Sequence, residues 1–254
     1  MPSGSIWDSA LTVLRTLTVP GSAVGAGLAA IALAFFLSMR KHKLSKQQVA
    51  GGALGFALGA ALFAPSIAEV QVPLQSLATR WAMANLATAN TVVLYTPAIL
   101  LTGIVQEPAK LLAAGLGVWA VRSGKRAAAP MLGAIAGAGY GGMEAAVILS
   151  YALAVAPSGS FPWLAAVERA SAVVFHLSLP GIVMFWWTRG AARGLVSLLG
   201  AVLAHIALDF LPVLFAAGMV GLAFVETVVG MISLALLAYL VCLVRGAGHD
   251  ERKV

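Results

Sequence analysis

Read for polarity alone, the chain alternates long apolar runs with short polar breaks. The runs fall at about 20–39, 49–68, 93–121, 129–155, 163–187, 195–216 and 221–244. Each is long enough for an α-helix to cross the hydrocarbon core of a bilayer, which takes roughly 20 residues. The alternating ten-residue segments of a membrane barrel do not occur, so the backbone amides within the membrane must be satisfied inside helices. The pattern therefore predicts an all-α polytopic membrane bundle of about seven transmembrane helices, a single domain over residues 1–254. One stretch fits less well. "EVQVPLQSLATRWAMANLATAN", Glu69 to Asn90, is too polar to cross comfortably and reads as a helix lying on the outer surface or as a re-entrant cover.

Composition agrees with an integral membrane protein: 61% of residues are hydrophobic and 10% charged, with a mean hydropathy of +0.95. A net charge of +7 would suggest nucleic acid in a soluble protein, but here the positions of the charges give another answer. Arg40, Lys41, Lys43 and Lys46 follow the first run, Arg122, Lys125 and Arg126 the third, Arg189 and Arg193 the fifth, and Arg245, Arg252 and Lys253 the seventh. Those twelve of the sixteen basic residues fall on one side, against Arg15, Arg80 and Arg169 on the other, with Lys110 inside a run. By the positive-inside rule the N-terminus is outside and the C-terminus cytoplasmic, with the bilayer as partner and no nucleic acid. The first twenty residues have neither a basic start nor a compact apolar core, so no cleaved signal peptide is expected. The single cysteine, Cys242, excludes a disulfide and a Cys-based metal site. Glycines repeat at i, i+4, i+8 as Gly51, Gly55, Gly59 and as Gly133, Gly137, Gly141, spacings that let helices approach closely in lipid.

Five ionisable residues interrupt the runs: Glu107, Glu144, His176, His205 and Asp209. Such groups are costly within a membrane and mark function by default, because each needs a partner or a wet cavity. Counted at about 1.5 Å per residue from the nearest basic flank, Glu107 lies ~22 Å in, Glu144 ~27 Å, His176 ~20 Å, His205 ~18 Å and Asp209 ~24 Å. Four spans thus bring polar groups to one layer, nearer the outer face. Glu107 and Lys110, three apart, share a helix face and pair, while Pro108 predicts a kink or break beside them. His205 and Asp209, four apart, also share a face, so the acid can orient the imidazole. Gly137 and Gly141 lie near the face of Glu144, which turns this carboxylate toward the bundle interior and the two histidines. Glu168 and Arg169, like Glu226, Asp8 and Glu69, read as interfacial ion pairs.

An acid with two histidines and a further carboxylate suits activation of water. A glutamate can act as general base while the histidines donate to an oxyanion or bind a metal. His176, His205 and Glu144 form a set that could hold Zn²⁺ with an open position. No H-E-x-x-H motif is present, which removes the zincin arrangement.

At these residues the chain resembles a known group. "QEPAK", "GYGGMEAA", "ERASAVVFHLSL" and "HIALDF", in that order on successive spans, look like the signature of YhfC-family intramembrane metalloproteases. That family sits within the broader set of type II CAAX prenyl endopeptidases, PrsW proteases and their relatives. The resemblance covers a protease-like core of about residues 93–215. It implies a bundle of eight or so helices or fewer, with a glutamate–histidine site open toward one leaflet. It further implies hydrolysis of a membrane-embedded or membrane-proximal protein substrate, in a prokaryotic plasma membrane. Two positions depart from the pattern. Relatives open the first motif with two glutamates, where this chain has Gln106 before Glu107, and YhfC-like chains often carry a histidine at Tyr140. The Gln-Glu pair resembles the anterior-pharynx-defective subunit of gamma-secretase, a non-catalytic scaffold. Three readings follow: an intramembrane peptidase acting through Glu107, Glu144, His176, His205 and Asp209, a silent protease-like scaffold that binds other membrane proteins, and an ion-coupled transporter. The last is weakened by the lack of repeat halves.

Overall fold

The structure, a computed structural model, describes residues 13–39, 44–86, 89–121, 125–157 and 160–250. These form helices and turns, with no strand among the described residues. In chain order the helices are α1 (Val19–Ser38), α2 (Lys46–Pro65), a π-helical segment (Ser66–Gln71), α3 (Val72–Asn85), α4 (Thr91–Trp119), α5 (Lys125–Val155), α6 (Trp163–Trp187), α7 (Ala191–Ala216) and α8 (Leu222–Asp250). Seven of the resulting rods are long and apolar enough to cross a membrane, matching the seven runs. Several starts are set by local chemistry. The Thr18 side chain accepts from the Gly21 amide ahead of α1, Ser45 and Gln48 form a reciprocal capping box on α2, and Asn90 accepts from Val93 on α4.

The bundle is built around α5 and α6. In α5, 78% of the most apolar window is buried, and in α6 67%, against 22% in α1 and 28% in α7 and α8, which leaves the outer helices to face lipid. Small residues make this possible. An added Cβ at Gly137 would collide with the His176 carbonyl, and one at Gly59 with the Ala136 carbonyl. The two glycine ridges are therefore the surfaces on which α6 and α2 approach α5, so backbone meets backbone across them. Trp119 and Trp163, at helix ends, are exposed, as expected for rings that sit where hydrocarbon meets headgroups.

Two long-range hydrogen bonds fix which helix ends share a side. The Thr18 amide at the start of α1 donates to Ser150 near the end of α5 at 3.0 Å, and Arg245 near the end of α8 donates to the Met39 carbonyl after α1 at 3.2 Å. Of the charges that underlie the orientation reading, Arg40, Lys41, Lys43, Arg122, Arg252 and Lys253 lie outside the described residues, as does Asp8.

One sequence expectation differs from the structure, and the kink or break expected at Pro108 is narrowed by the absence of a break. The part of the polar stretch from Glu69 to Asn90 that covers residues 69–85 does not form an element of its own. It begins in the π-helical segment and continues the second span, giving one rod over Lys46–Asn85. Leu, Ala, Gln and Met in α3 favour helix, so the polar residues do not end it. Pro73, which has no amide to donate, is tolerated because it falls just after the local rewinding. α3 then packs on the first half of α4, where Gln75 donates to the Ala98 carbonyl at 3.0 Å. In α4 itself, Pro108 causes no break, since Thr91–Trp119 is a single helix.

Candidate polar site within the bundle

Four neighbouring helices contribute to one polar cluster. α4 supplies Glu107 and Lys110, both essentially inaccessible, α5 supplies Glu144, α6 His176, and α7 His205 and Asp209. The structure thus brings together all five residues that the depth count singled out. At the centre stands Lys110, which the sequence pairs only with Glu107. Its Nζ lies 2.6 Å from Glu107 Oε1, 2.6 Å from His176 Nδ1 and 3.4 Å from His205 Nδ1. His205 Nδ1 is also 2.6 Å from Glu107 Oε1.

These contacts assign the imidazole protons. An ammonium can only donate, so His176 Nδ1 accepts from Lys110 and its proton sits on Nε2. That nitrogen faces Glu144 Oε2 at 2.7 Å, an ion-pair distance. His205 cannot both accept from Lys110 and donate to Glu107 through one nitrogen. The shorter contact prevails, so Nδ1–H donates to Glu107 and Nε2 turns to Asp209 Oδ2 at 3.5 Å. The result is a continuous chain of ionisable groups: Glu144, His176, Lys110, Glu107, His205, Asp209. Aromatic rings wall it in. Phe175 meets both imidazoles edge-on, at 5.8 Å and 5.6 Å between centroids, and the Tyr140 ring lies 5.1 Å from Lys110 Nζ.

Glu144, His176, His205 and Asp209 line a cavity of about 180 Å³ between α5, α6, α7 and α8. Its rim reaches Phe215 and Leu222, on either side of the turn that joins α7 to α8. Glu168, Arg169 and Glu226 also line it. Arg169 pairs with Glu168, as its sequence position suggests, but also donates to Glu144 Oε1 at 3.1 Å. It belongs to the site rather than only to the rim. The signal was present in the spacing, because Arg169 precedes His176 by seven residues and so shares its helix face.

A second polar layer had no sequence signal. Tyr140 Oη and Ser66 Oγ share a hydrogen bond of 2.8 Å, and Gln106 donates to Gln71 Oε1 at 3.1 Å. Both partners come from the π-helical segment, whose rewinding turns Ser66 and Gln71 inward. The two positions that depart from the resembled pattern are thereby tied to one another's neighbourhood.

By donor type the cluster suits a divalent metal. One ligand atom each from Glu107, His176 and His205 lies within 4.8 Å of the others. Glu144 is not in this trio, since it meets His176 on the opposite edge of the ring. The space among the three donors, however, is taken by Lys110 Nζ. With that ammonium in place the site does not fit a metal ion. No family model, curated protein or solved structure matches the chain.

Proposed function

We propose that the chain is a glutamate/histidine intramembrane peptidase, related to the YhfC-like proteins it resembles. One observation carries the reading: Glu144, His176, His205 and Asp209, from three helices, line one cavity within an otherwise apolar bundle. A structural ion pair needs no such cavity, whereas hydrolysis within a bilayer needs room for water and a peptide bond. Glu144 is the base. Its side chain lines the cavity, and Arg169 and His176 hold the carboxylate in place. Water gives a proton to Glu144 as its oxygen attacks the peptide carbonyl. The His176 Nε2–H and the Arg169 guanidinium are the donors available to the oxyanion. Collapse breaks the C–N bond, and the protonated Glu144 returns its proton to the leaving amine. Lys110 acts from behind by keeping His176 in the donor tautomer. With the positive-inside orientation the cavity opens toward the outer leaflet, and the substrate is a membrane-embedded or membrane-proximal protein. No step requires a metal.

A silent scaffold is the second reading, and a specific observation favours it. Gln106 stands where relatives carry an acid, and its amide is committed to Gln71. The test uses the full chain in proteoliposomes with single-span substrate proteins, with cleavage read by product mass. Wild type should cleave, and Glu144→Gln should lose roughly 10²-fold or more, the scale for removing a general base. Cleavage absent from wild type but present in Gln106→Glu would establish the scaffold reading instead. Cleavage that survives both Glu107→Gln and Glu144→Gln would overturn the assigned roles.

A further inference from the structure

We propose that Lys110 is the resident cation of a latent divalent-metal site, with its ammonium filling the position that Glu107, His176 and His205 would otherwise offer to a metal. The inference stands whether or not the chain cleaves peptides. It rests on the coincidence of two descriptions of the same space. Three donors of the types that bind zinc, one carboxylate and two imidazoles, converge from three different helices to within 4.8 Å of one another. The lysine nitrogen lies among them, 2.6 Å from two and 3.4 Å from the third.

An ammonium and a small metal ion both draw on the lone pairs of Glu107 and His176, and a metal would add that of His205 Nδ1 once the proton it gives to Glu107 moves off that nitrogen. They differ in bond length. Tetrahedral zinc with bonds of about 2.1 Å places its donors about 3.4 Å apart, so the donors, now up to 4.8 Å apart, must draw together while Glu107 and His205, 2.6 Å apart, open slightly. The helices can supply this through side-chain rotations, because Glu107 and both histidines reach the centre from different backbones. While Lys110 remains, a cation entering the same space meets a fixed positive charge and no vacant donor. Removal of the lysine leaves a buried carboxylate and two imidazoles with no cation, an arrangement that is costly in a membrane interior and that a metal relieves. The same surroundings explain why a lysine is found at such depth: Glu107 neutralises it, and the Tyr140 ring lies beneath it.

The experiment is metal analysis of the purified full chain after incubation with zinc and removal of the excess, repeated with Co²⁺, whose visible spectrum reports tetrahedral coordination. Wild type should retain no stoichiometric metal. Lys110→Ala should retain about one ion per chain, with a tetrahedral cobalt spectrum and a zinc-dependent rise in melting temperature, and should lose all three when His176→Ala is added. Lys110→Met, which fills more of the space, should retain less. If Lys110→Ala is unfolded without metal, recovery by zinc supports the proposal equally. It is overturned by one zinc per wild-type chain that disappears in His176→Ala, by a folded Lys110→Ala that takes up no metal, or by lysine variants that zinc cannot restore to the fold.

Discussion

Lys110 and Glu107 form the innermost pair, and at the scale of single residues they govern the rest. Both are buried, and they are held at 2.6 Å. Taking two charges out of water is costly, and breaking such a pair by removing one member leaves an uncompensated charge, typically a loss of about 3–5 kcal/mol. Lys110→Met without added metal should therefore destabilise the protein by that order. The double variant Glu107→Gln, Lys110→Met should regain much of the loss. Unfolding in detergent, compared across the two single variants and the double, checks this. Additive losses would mean that the pair is not the source of the cost. Of this cluster, the sequence showed the i, i+3 spacing of Glu107 and Lys110. That Lys110 also reaches His176 and His205, 66 and 95 positions along the chain, depends on helix packing that no local spacing encodes.

At the scale of elements, the approach of α6 to α5 sets how far His176 stands from Glu144. Gly137 and Gly141 lie directly beneath the His176 backbone and ring. Gly137→Ala should push the helices apart and cost about 1–3 kcal/mol, the usual range for over-packing. Gly27→Ala, on α1 with open space around the added methyl, should be neutral or slightly stabilising. Melting temperatures of the two variants in detergent test the contrast, and equal values would show that the glycine ridge is not under packing constraint. The ridge itself was legible as a four-residue repeat. The π-helical turn at Ser66–Gln71 was not, because it arises from a helix that continues through prolines where polarity suggests an end. It is this turn that presents Ser66 to Tyr140 and Gln71 to Gln106.

Across the whole molecule, the charge pattern predicts an orientation, while the position of the cavity follows from packing. A reporter fused after Val254 should be active in the cytoplasm, and one inserted at Pro157 should be active outside. An external C-terminus would overturn the orientation and place the cavity mouth on the opposite leaflet. The cavity lies where α7 and α8 diverge from each other around α6, since these two helices meet only sparingly.

By itself the sequence determined the all-helical class, the seven apolar rods and the common layer of Glu107, Glu144, His176, His205 and Asp209. Each of these depends on one-dimensional quantities: run length against bilayer thickness, and rise per residue against depth. Depth places a residue in a layer and leaves its azimuth open. Only the tertiary structure decided that Lys110 stands at the centre of the layer, that Arg169 turns in to Glu144, and that Glu107 rather than Glu144 joins the two histidines around a single point. The physical reason is that rotation of each helix about its own axis is set by which small-residue faces interlock across the bundle, and those faces belong to segments far apart in the chain.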